Sequence, residues 1–212
     1  PKGVLDILQH YPDPQEFVGN TAHNIYREER LKPETINHLS QFILPENNNK
    51  ILDLMAKYQI HYLGLTDPDY PACLKDICDP PLILYYRGNL SETLNELCVG
   101  VVGTRKPTSY GVEMTRKILS PLCEQGVNII SGLAMGIDTI AHQTALKAKT
   151  KTIAVFASGL ETIYPPMNKA LAEHIMDNGA LVSEYEPGSK LERWNFPARN
   201  RIISALSQAI FV

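Results

Sequence analysis

Short apolar runs alternate with stretches of helical spacing over the second half of the chain, and this alternation constrains the fold more than any other feature. The runs are four or five residues long and rich in β-branched residues, which is typical of strands. Strands that alternate with helices form βαβ units, in which helices cover both faces of a parallel sheet. The sequence therefore predicts a Rossmann-like α/β domain. Its predicted strands are 99–102, 127–130, 152–156, 180–183 and 209–212, and its predicted helices are 110–124, 137–148, 168–178 and 197–206.

The preceding part of the chain predicts a separate unit. Residues 1–58 place apolar residues three and four apart between prolines, which predicts a small all-helical domain. Two short runs rich in strand formers, 60–65 and 82–86, predict strands that join or cap the following sheet. We therefore expect the Rossmann-like domain to cover 59–212. Because the last strand stops at the chain end, we also expect the C-terminal end of this domain to be missing here.

The composition of the chain limits the cellular compartment and the class of protein that we expect. Hydrophobic residues make up 44% of the chain and charged residues 20%, as in ordinary soluble proteins. No apolar run is long enough to cross a membrane, and no signal peptide is visible. The four cysteines contain no CxxC pair, so neither a zinc site nor a disulfide framework is indicated. These features predict a cytoplasmic protein without a metal.

The net charge of −3 conceals an asymmetry between the two halves. Residues 1–98 carry 8 Lys and Arg against 14 Asp and Glu, whereas residues 99–212 carry 12 against 9. An excess of positive charge in one half favours a polyanion as the ligand of that half.

The loops after the predicted strands carry the candidate site. In a sheet of this kind, ligands collect beyond the carboxyl ends of the strands, beside helix N-termini that offer free N–H groups. Glycine permits close approach of an anion, and Arg or Lys adds charge-assisted hydrogen bonds. The alternative is that the glycines only make tight turns. The loops read GTRKPTSYG at 103–111, SGLAMGID at 131–138, SGLETIYPPMNK at 158–169, and SEYEPG at 183–188 followed by FPARNR at 196–201.

The sequence motifs give less support to an enzymatic function. The first loop lacks the G-x-G-x-x-G spacing of dinucleotide sites, and no P-loop motif occurs, so an NAD enzyme and a P-loop ATPase are disfavoured and no cofactor is expected. Asp138 and His142 share a helix face, as an acid–base pair or as a helix-start aspartate followed by a structural histidine. Glu184 ends a strand, where it could activate water or form an ion pair with Arg199 or Arg201.

These motifs, in this order, resemble those of the DprA/Smf (DNA processing protein A) family from about residue 60 to 212. SGLAMGID and FPARNRII are the most distinctive segments. The resemblance implies a non-enzymatic protein that binds single-stranded DNA, protects incoming strands during natural transformation and helps to load the RecA recombinase. It also implies a homodimer in the intact protein and a SAM-like or helix-hairpin-helix-like domain before the sheet.

Carried over by motif, the resemblance places the DNA and phosphate contacts in the strand-end loops. Met135 and Pro166 stand where some members carry lysine, which indicates weaker or redistributed phosphate contacts. Aromatic residues near the loops are candidates for base stacking, and we expect one or two of them to meet a base. These aromatic residues are Tyr110, Tyr164, Tyr185, Trp194 and Phe196. The predicted contacts are Gly103, Thr104, Arg105, Lys106, Ser131, Gly132, Gly136, Asn168, Lys169, Arg199, Asn200 and Arg201.

Two other functions stay open from the residues alone. Strand-end glycines also suit a nucleotide phosphate, so a nucleotide hydrolase of the N-glycosidase or phosphoribohydrolase type would use Glu184 as its acid–base group. A recruiting protein could instead use the acidic first half to contact a recombinase or a replication partner.

Overall fold

The computed structural model of the chain describes residues 48–212. None of the helices in this range is long and apolar enough to cross a membrane. The predicted all-helical domain lies almost entirely outside it. The helices are α1 (Asn48–Tyr58), α2 (Ala72–Lys75), α3 (Leu90–Leu94), α4 (Ser109–Glu124), α5 (Ile137–Lys147), α6 (Lys169–Asp177) and α7 (Asn195–Ala205), with a 3₁₀ turn at Pro166–Asn168. The strands are β1 (His61–Gly64), β2 (Ile83–Gly88), β3 (Cys98–Val101), β4 (Asn128–Ser131), β5 (Thr152–Val155), β6 (Gly179–Ser183) and β7 (Ala209–Phe211).

The seven strands form one mixed sheet in the order β1-β2-β6-β5-β4-β3-β7. The five strands that the alternation predicted, β3 to β7, pair in parallel. β1 and β2 form a hairpin that joins the sheet through an antiparallel pairing of β2 with β6. The predicted parallel sheet is therefore confirmed, and so is the prediction that the two early strands join it.

Helices cover both faces of this sheet. On one face α4, α5 and α6 pack over Ile129, Ala154 and Leu181, and α1 adds Met55 and Tyr58. On the other face α2, α3 and α7 pack over the residues next in sequence, Ile130, Val155 and Val182. Successive side chains of a strand point to opposite faces, so burial on both sides leaves the strands apolar throughout. This two-sided burial produces the continuous apolar runs in the sequence.

The chain divides into two compact units between Asn49 and Lys50. The domain boundary predicted after residue 58 stays a prediction, because residues 1–47 lie outside the described range.

His142 joins α5 to the centre of the sheet. Its side chain is fully buried, and Nδ1 lies 2.8 Å from Oγ1 of Thr152. The Thr152 hydroxyl donates to the carbonyl of Ile129 at 2.6 Å, so Nδ1 must carry a proton and donate to the hydroxyl oxygen. Burial, with a contribution from the charge of Arg199, lowers the pKa of His142 to about 3. The prediction of a structural histidine is confirmed, and an acid–base pair with Asp138 has no basis here.

Replacing His142 with Gln is expected to reduce the loss of stability in mild acid. Below its ordinary pKa of 6.5, the unfolded chain binds a proton at this position that the folded protein does not bind until about pH 3. The stabilisation is therefore complete at neutral pH and is lost as the pH falls. Between pH 7 and pH 5 the wild type should lose on the order of 2 kcal/mol that H142Q retains.

Urea unfolding of both proteins at the two pH values measures this difference. The matched control is His174→Gln, which replaces an exposed histidine of α6 and should leave the wild-type pH profile intact. An equal acid-induced loss in wild type and H142Q would contradict the assignment.

Candidate nucleic-acid interface

The loops that follow the parallel strands meet at one edge of the sheet, called here the rim. The β3–α4 loop is the most exposed of them, with Gly103, Thr104, Arg105 and Lys106 all open to solvent. The Thr104 hydroxyl accepts a hydrogen bond from the N–H of Lys106 at 3.2 Å, which turns the loop sharply. Two cationic side chains therefore project from a locally ordered turn.

The guanidinium of Arg105 stacks on an aromatic ring. Its central carbon lies 4.7 Å from the ring centroid of Phe196, in the first turn of α7. The Phe196 ring is in turn 6.2 Å from that of Tyr164 in the β5–α6 loop. A cation held over an aromatic face is stabilised by the ring quadrupole, and it keeps its outward N–H groups for a ligand. This contact, between residues 91 positions apart, was not foreseen from the sequence.

These side chains border a shallow cleft. The cleft is also lined by Gly132, Ala134, Met135 and Pro165. Its volume is only about 20 Å³, whereas enclosed small-molecule sites typically measure about 300–1,000 Å³. The two large cavities described, of about 680 Å³ each, lie at the amino ends of the parallel strands and contain none of the predicted contact residues. The rim therefore offers an open surface, which suits an extended polymer better than a nucleotide.

The turn after β4 is closed by internal hydrogen bonds. The carboxylate of Asp138 accepts the N–H of Gly132 at 3.1 Å and that of Ala134 at 3.3 Å. The first N–H of α5, at Ile137, donates to the carbonyl of Thr104 at 3.2 Å. The expectation of bare amide hydrogens is therefore wrong at Gly132, Ala134 and Ile137, because a carboxylate and a neighbouring loop already accept their hydrogen bonds. Asp138 is confirmed as a helix-start aspartate.

Glycine is required in this turn for close packing. Gly136 has a φ of +85°, and a Cβ there would collide with the carbonyl oxygen of Thr104. At Gly132 a Cβ would collide with the guanidinium of Arg199. The hydroxyl of Ser131 is buried and donates to the carbonyl of Val101 at 2.6 Å. These three predicted residues hold the loops together.

Arg199 is almost completely buried, with 4% of its surface exposed. Its Nη1 donates to the carbonyl of Gly132 at 3.0 Å and to that of Val155, and its Nε donates to Oδ1 of Asn200 at 3.2 Å. Burial lowers the pKa of Arg199 to about 10, against the opposing charge of Asp138. Burial likewise raises the pKa of Asp138, and the positive charge of Arg199 partly offsets that rise. Arg199 therefore lies beneath the rim, whereas Asn200 beside it is exposed.

Glu184 forms an ion pair with Arg201, one of the alternatives that the sequence left open. Nη1 and Nη2 of Arg201 donate to the two carboxylate oxygens at 2.6 Å each, and Nε donates to the carbonyl of Asp79 at 3.0 Å. The bond to Glu184 raises the pKa of Arg201 above its ordinary value. With both oxygens of Glu184 engaged, this carboxylate is poorly placed to activate water.

Asn168 and Lys169 differ in burial, as Arg199 and Asn200 do. Asn168 is buried, and its Nδ2 donates to the carbonyl of Leu133 at 2.8 Å and to the hydroxyl of Thr139 at 2.9 Å. It braces the turn after β4 from the side of α6. Lys169, the first residue of α6, is exposed at the rim.

Several large apolar side chains near the ends of the parallel strands are exposed. Tyr110, Tyr164 and Trp194 are 71%, 45% and 69% exposed, and each belongs to a strand-end loop or to the helix start that follows it. Met167, at 72% exposed, lies in the same region and was missed, because a methionine carries no binding signal in a sequence. Open aromatic rings beside cations are the features expected of a surface on which bases stack.

Replacing Gly136 with Ala is expected to destabilise the protein by about 3 kcal/mol or more, because the new Cβ meets main-chain atoms that must move. The matched control is Gly126→Ala. Gly126 has nearly the same φ, +86°, but a Cβ there meets nothing within 4 Å. G126A should therefore lose only the roughly 1–2 kcal/mol of the left-handed backbone. Urea unfolding compares the two variants, and equal losses would show that the contact with Thr104 is not tight.

Comparison with known proteins shows which protein family the chain resembles. Residues 61–212 match the family model of DNA recombination-mediator protein A. Protein Smf of Synechocystis is 51% identical over 180 residues, which cover 82% of this chain and 45% of that protein. DNA processing protein DprA of Bacillus subtilis is 40% identical over 166 residues, which cover 77% of this chain and 56% of that protein. The chain thus spans about half the length of the curated relatives it matches.

Two solved structures have the same fold. DprA from Streptococcus pneumoniae superposes with a TM-score of 0.70 at 31% identity, covering 98% of this chain and 75% of that one. DNA processing protein A from Helicobacter pylori, whose structure concerns its single-stranded DNA binding mode, superposes with a TM-score of 0.65 at 34% identity, covering 72% and 68%. The strand order, the rim motifs and these matches agree, and the chain belongs to the DNA recombination-mediator protein A (DprA/Smf) family.

Proposed function

We propose that this chain binds single-stranded DNA along the rim, without cutting it, as part of DNA processing and recombination. The observation that carries the proposal is the exposed guanidinium of Arg105, held on the ring of Phe196 at the centre of an open, aromatic-rich cleft. Single strands are bound by cations that follow the phosphates and by aromatic rings on which bases stack. The single-stranded DNA binding mode of the Helicobacter pylori relative supports this assignment.

The predicted contact residues divide by burial into two roles. We assign direct phosphate contact to the exposed residues Arg105, Lys106, Lys169 and Asn200, together with the backbone of the loop at Gly103 and Thr104. The buried or internally bonded residues shape the surface. These are Ser131, Gly132, Gly136, Asn168, Arg199 and Arg201.

Binding without catalysis is favoured by two features of the rim. Glu184, the acid–base candidate of the hydrolase hypothesis, is held by Arg201 through both carboxylate oxygens. The cleft is also too shallow to enclose a nucleotide. No observation of the described residues favours the hydrolase over the DNA binder.

The wider setting forms part of the same proposal. We assign the chain to the cytoplasm, to loading of the RecA recombinase during natural transformation, and to a homodimer in the intact protein. Family membership supports these assignments. The acidic first half of the sequence remains the candidate surface for a protein partner.

Replacing Arg105 with Ala is expected to weaken binding to oligo-dT about tenfold, because a charge-assisted phosphate contact is lost. The slope of log affinity against log salt should fall by about 0.7, the share of one single-strand phosphate contact. Fluorescence anisotropy at several salt concentrations measures both quantities. The matched control is Arg116→Ala, which removes an exposed arginine two turns along α4. Wild-type affinity and slope in R105A would refute the site.

Replacing Trp194 with Ala is expected to weaken oligo-dT binding about tenfold while leaving the salt slope unchanged, because stacking of a base contributes about 1–3 kcal/mol without releasing counterions. The control is Tyr62→Ala, which removes a 58% exposed ring from the edge strand β1, outside the loops that follow the parallel strands. If W194A and Y62A bind alike, Trp194 does not meet a base.

A further inference from the structure

Two buried, oppositely charged side chains hold the main chain of one glycine at the rim. The carboxylate of Asp138 accepts the N–H of Gly132 at 3.1 Å, and the guanidinium of Arg199 donates to the carbonyl of the same residue at 3.0 Å. Asp138 and Arg199 are each only 4% exposed. Because a Cβ at position 132 would occupy the place of the guanidinium, this arrangement requires glycine.

The side chain of Arg199 also joins three elements of the fold. Its backbone belongs to α7, and its Nη1 bonds to the carbonyl of Val155 at the end of β5 as well as to the turn after β4. The guanidinium therefore fixes α7 relative to the two central strands, together with Asn195, whose Nδ2 donates to the carbonyl of Ala157 at 2.9 Å.

The same geometry leads from Arg199 to Arg105 by two routes. Along the backbone, the turn held at Gly132 continues to Gly136 and Ile137, which contact the main chain of the Arg105 loop through the carbonyl of Thr104. Along the side chains, Phe196 lies one helical turn before Arg199 on α7 and supports the Arg105 guanidinium at 4.7 Å. The first route positions the backbone of Arg105, and the second positions its charge.

We infer that Arg199 is a positioning residue for DNA binding and not a phosphate ligand: together with Asp138, it fixes α7 against the turn at Gly132 so that Phe196 and the Arg105 loop meet. The inference rests on the proposed function, since it explains how the proposed phosphate contact at Arg105 is held in place.

Guanidinium chemistry suits this task better than an ammonium group. The Arg199 side chain donates to two main-chain carbonyls and to Oδ1 of Asn200 from one rigid plane. A lysine would retain the charge that compensates Asp138, but it is a single point donor on a flexible stem. Lysine at this position should therefore keep the fold and loosen the geometry, whereas lysine would serve nearly as well as arginine for direct phosphate contact.

The test is a double-mutant cycle on the 212-residue chain between R105A and R199K, with oligo-dT as the probe. We expect R199K to bind about tenfold more weakly than wild type, and R105A–R199K to bind within about twofold of R105A, because both changes remove the same contact. The salt slope of the double variant should equal that of R105A. Wild-type affinity in R199K is the result expected of a direct phosphate contact, because lysine keeps the charge, and additive losses of about a hundredfold in the double variant would show that Arg199 acts independently of Arg105; either result would overturn the inference.

A spectroscopic measurement without DNA supplies a second readout. Trp194 is the only tryptophan of the chain and directly precedes α7. We expect R199K to change its emission and its quenching by iodide, and R105A to leave both nearly unchanged. Wild-type affinity and wild-type fluorescence in R199K would overturn the inference while R105A still weakened binding. If R105A binds oligo-dT as wild type does, the proposed function fails, and the positioning role fails with it.

Discussion

The buried guanidinium of Arg199 is the interaction on which the geometry of the rim depends. Two opposite charges that are removed from water lose their hydration, and they stabilise the fold only when their hydrogen-bonding groups are satisfied. Here the carbonyls of Gly132 and Val155 accept from the guanidinium, and the carboxylate of Asp138 accepts two main-chain amides. The pair thus connects α7, β5 and the turn after β4. An arginine exposed at the surface could not have this effect, because solvent would screen its charge.

Charged and polar residues of the rim have two different roles, which depend on whether they lie below or above the surface. Below the surface, charged and polar groups are bonded to the main chain and define the shape of the loops. Above it, Arg105 and Lys106 face solvent, and the rings of Tyr110, Tyr164 and Trp194 in the strand-end segments are exposed. Such a surface suits a ligand with repeated phosphates and flat bases, since each element is shallow and several act together. The large cavities at the other edge of the sheet have no such combination of groups.

Much of the fold could be predicted from the sequence, because burial on both faces leaves a strong local pattern. Ile129 and Ile130 point to opposite faces and are both buried, so the strand reads as an unbroken apolar run. The loops of the candidate site could be located for a related reason, since the carboxyl ends of parallel strands meet at one edge. An ion pair of Glu184 and a structural role for His142 were among the alternatives that the sequence left open, and the structure selects them. The expectation of free amides at Gly132 was wrong, because the group that occupies them depends on how Asp138 folds back.

The sequence by itself determined a parallel sheet covered on both faces, the strand-end loops that form the candidate site, and the residue types available there. Only the tertiary structure decided which arginine does what. Arg105, Arg199 and Arg201 are chemically identical and all lie in strand-end segments, yet one is exposed on a ring, one is buried between main-chain carbonyls, and one is paired with a carboxylate. The physical reason is that a cation's role depends on its solvation and on its partners, and those partners come from residues distant in the chain.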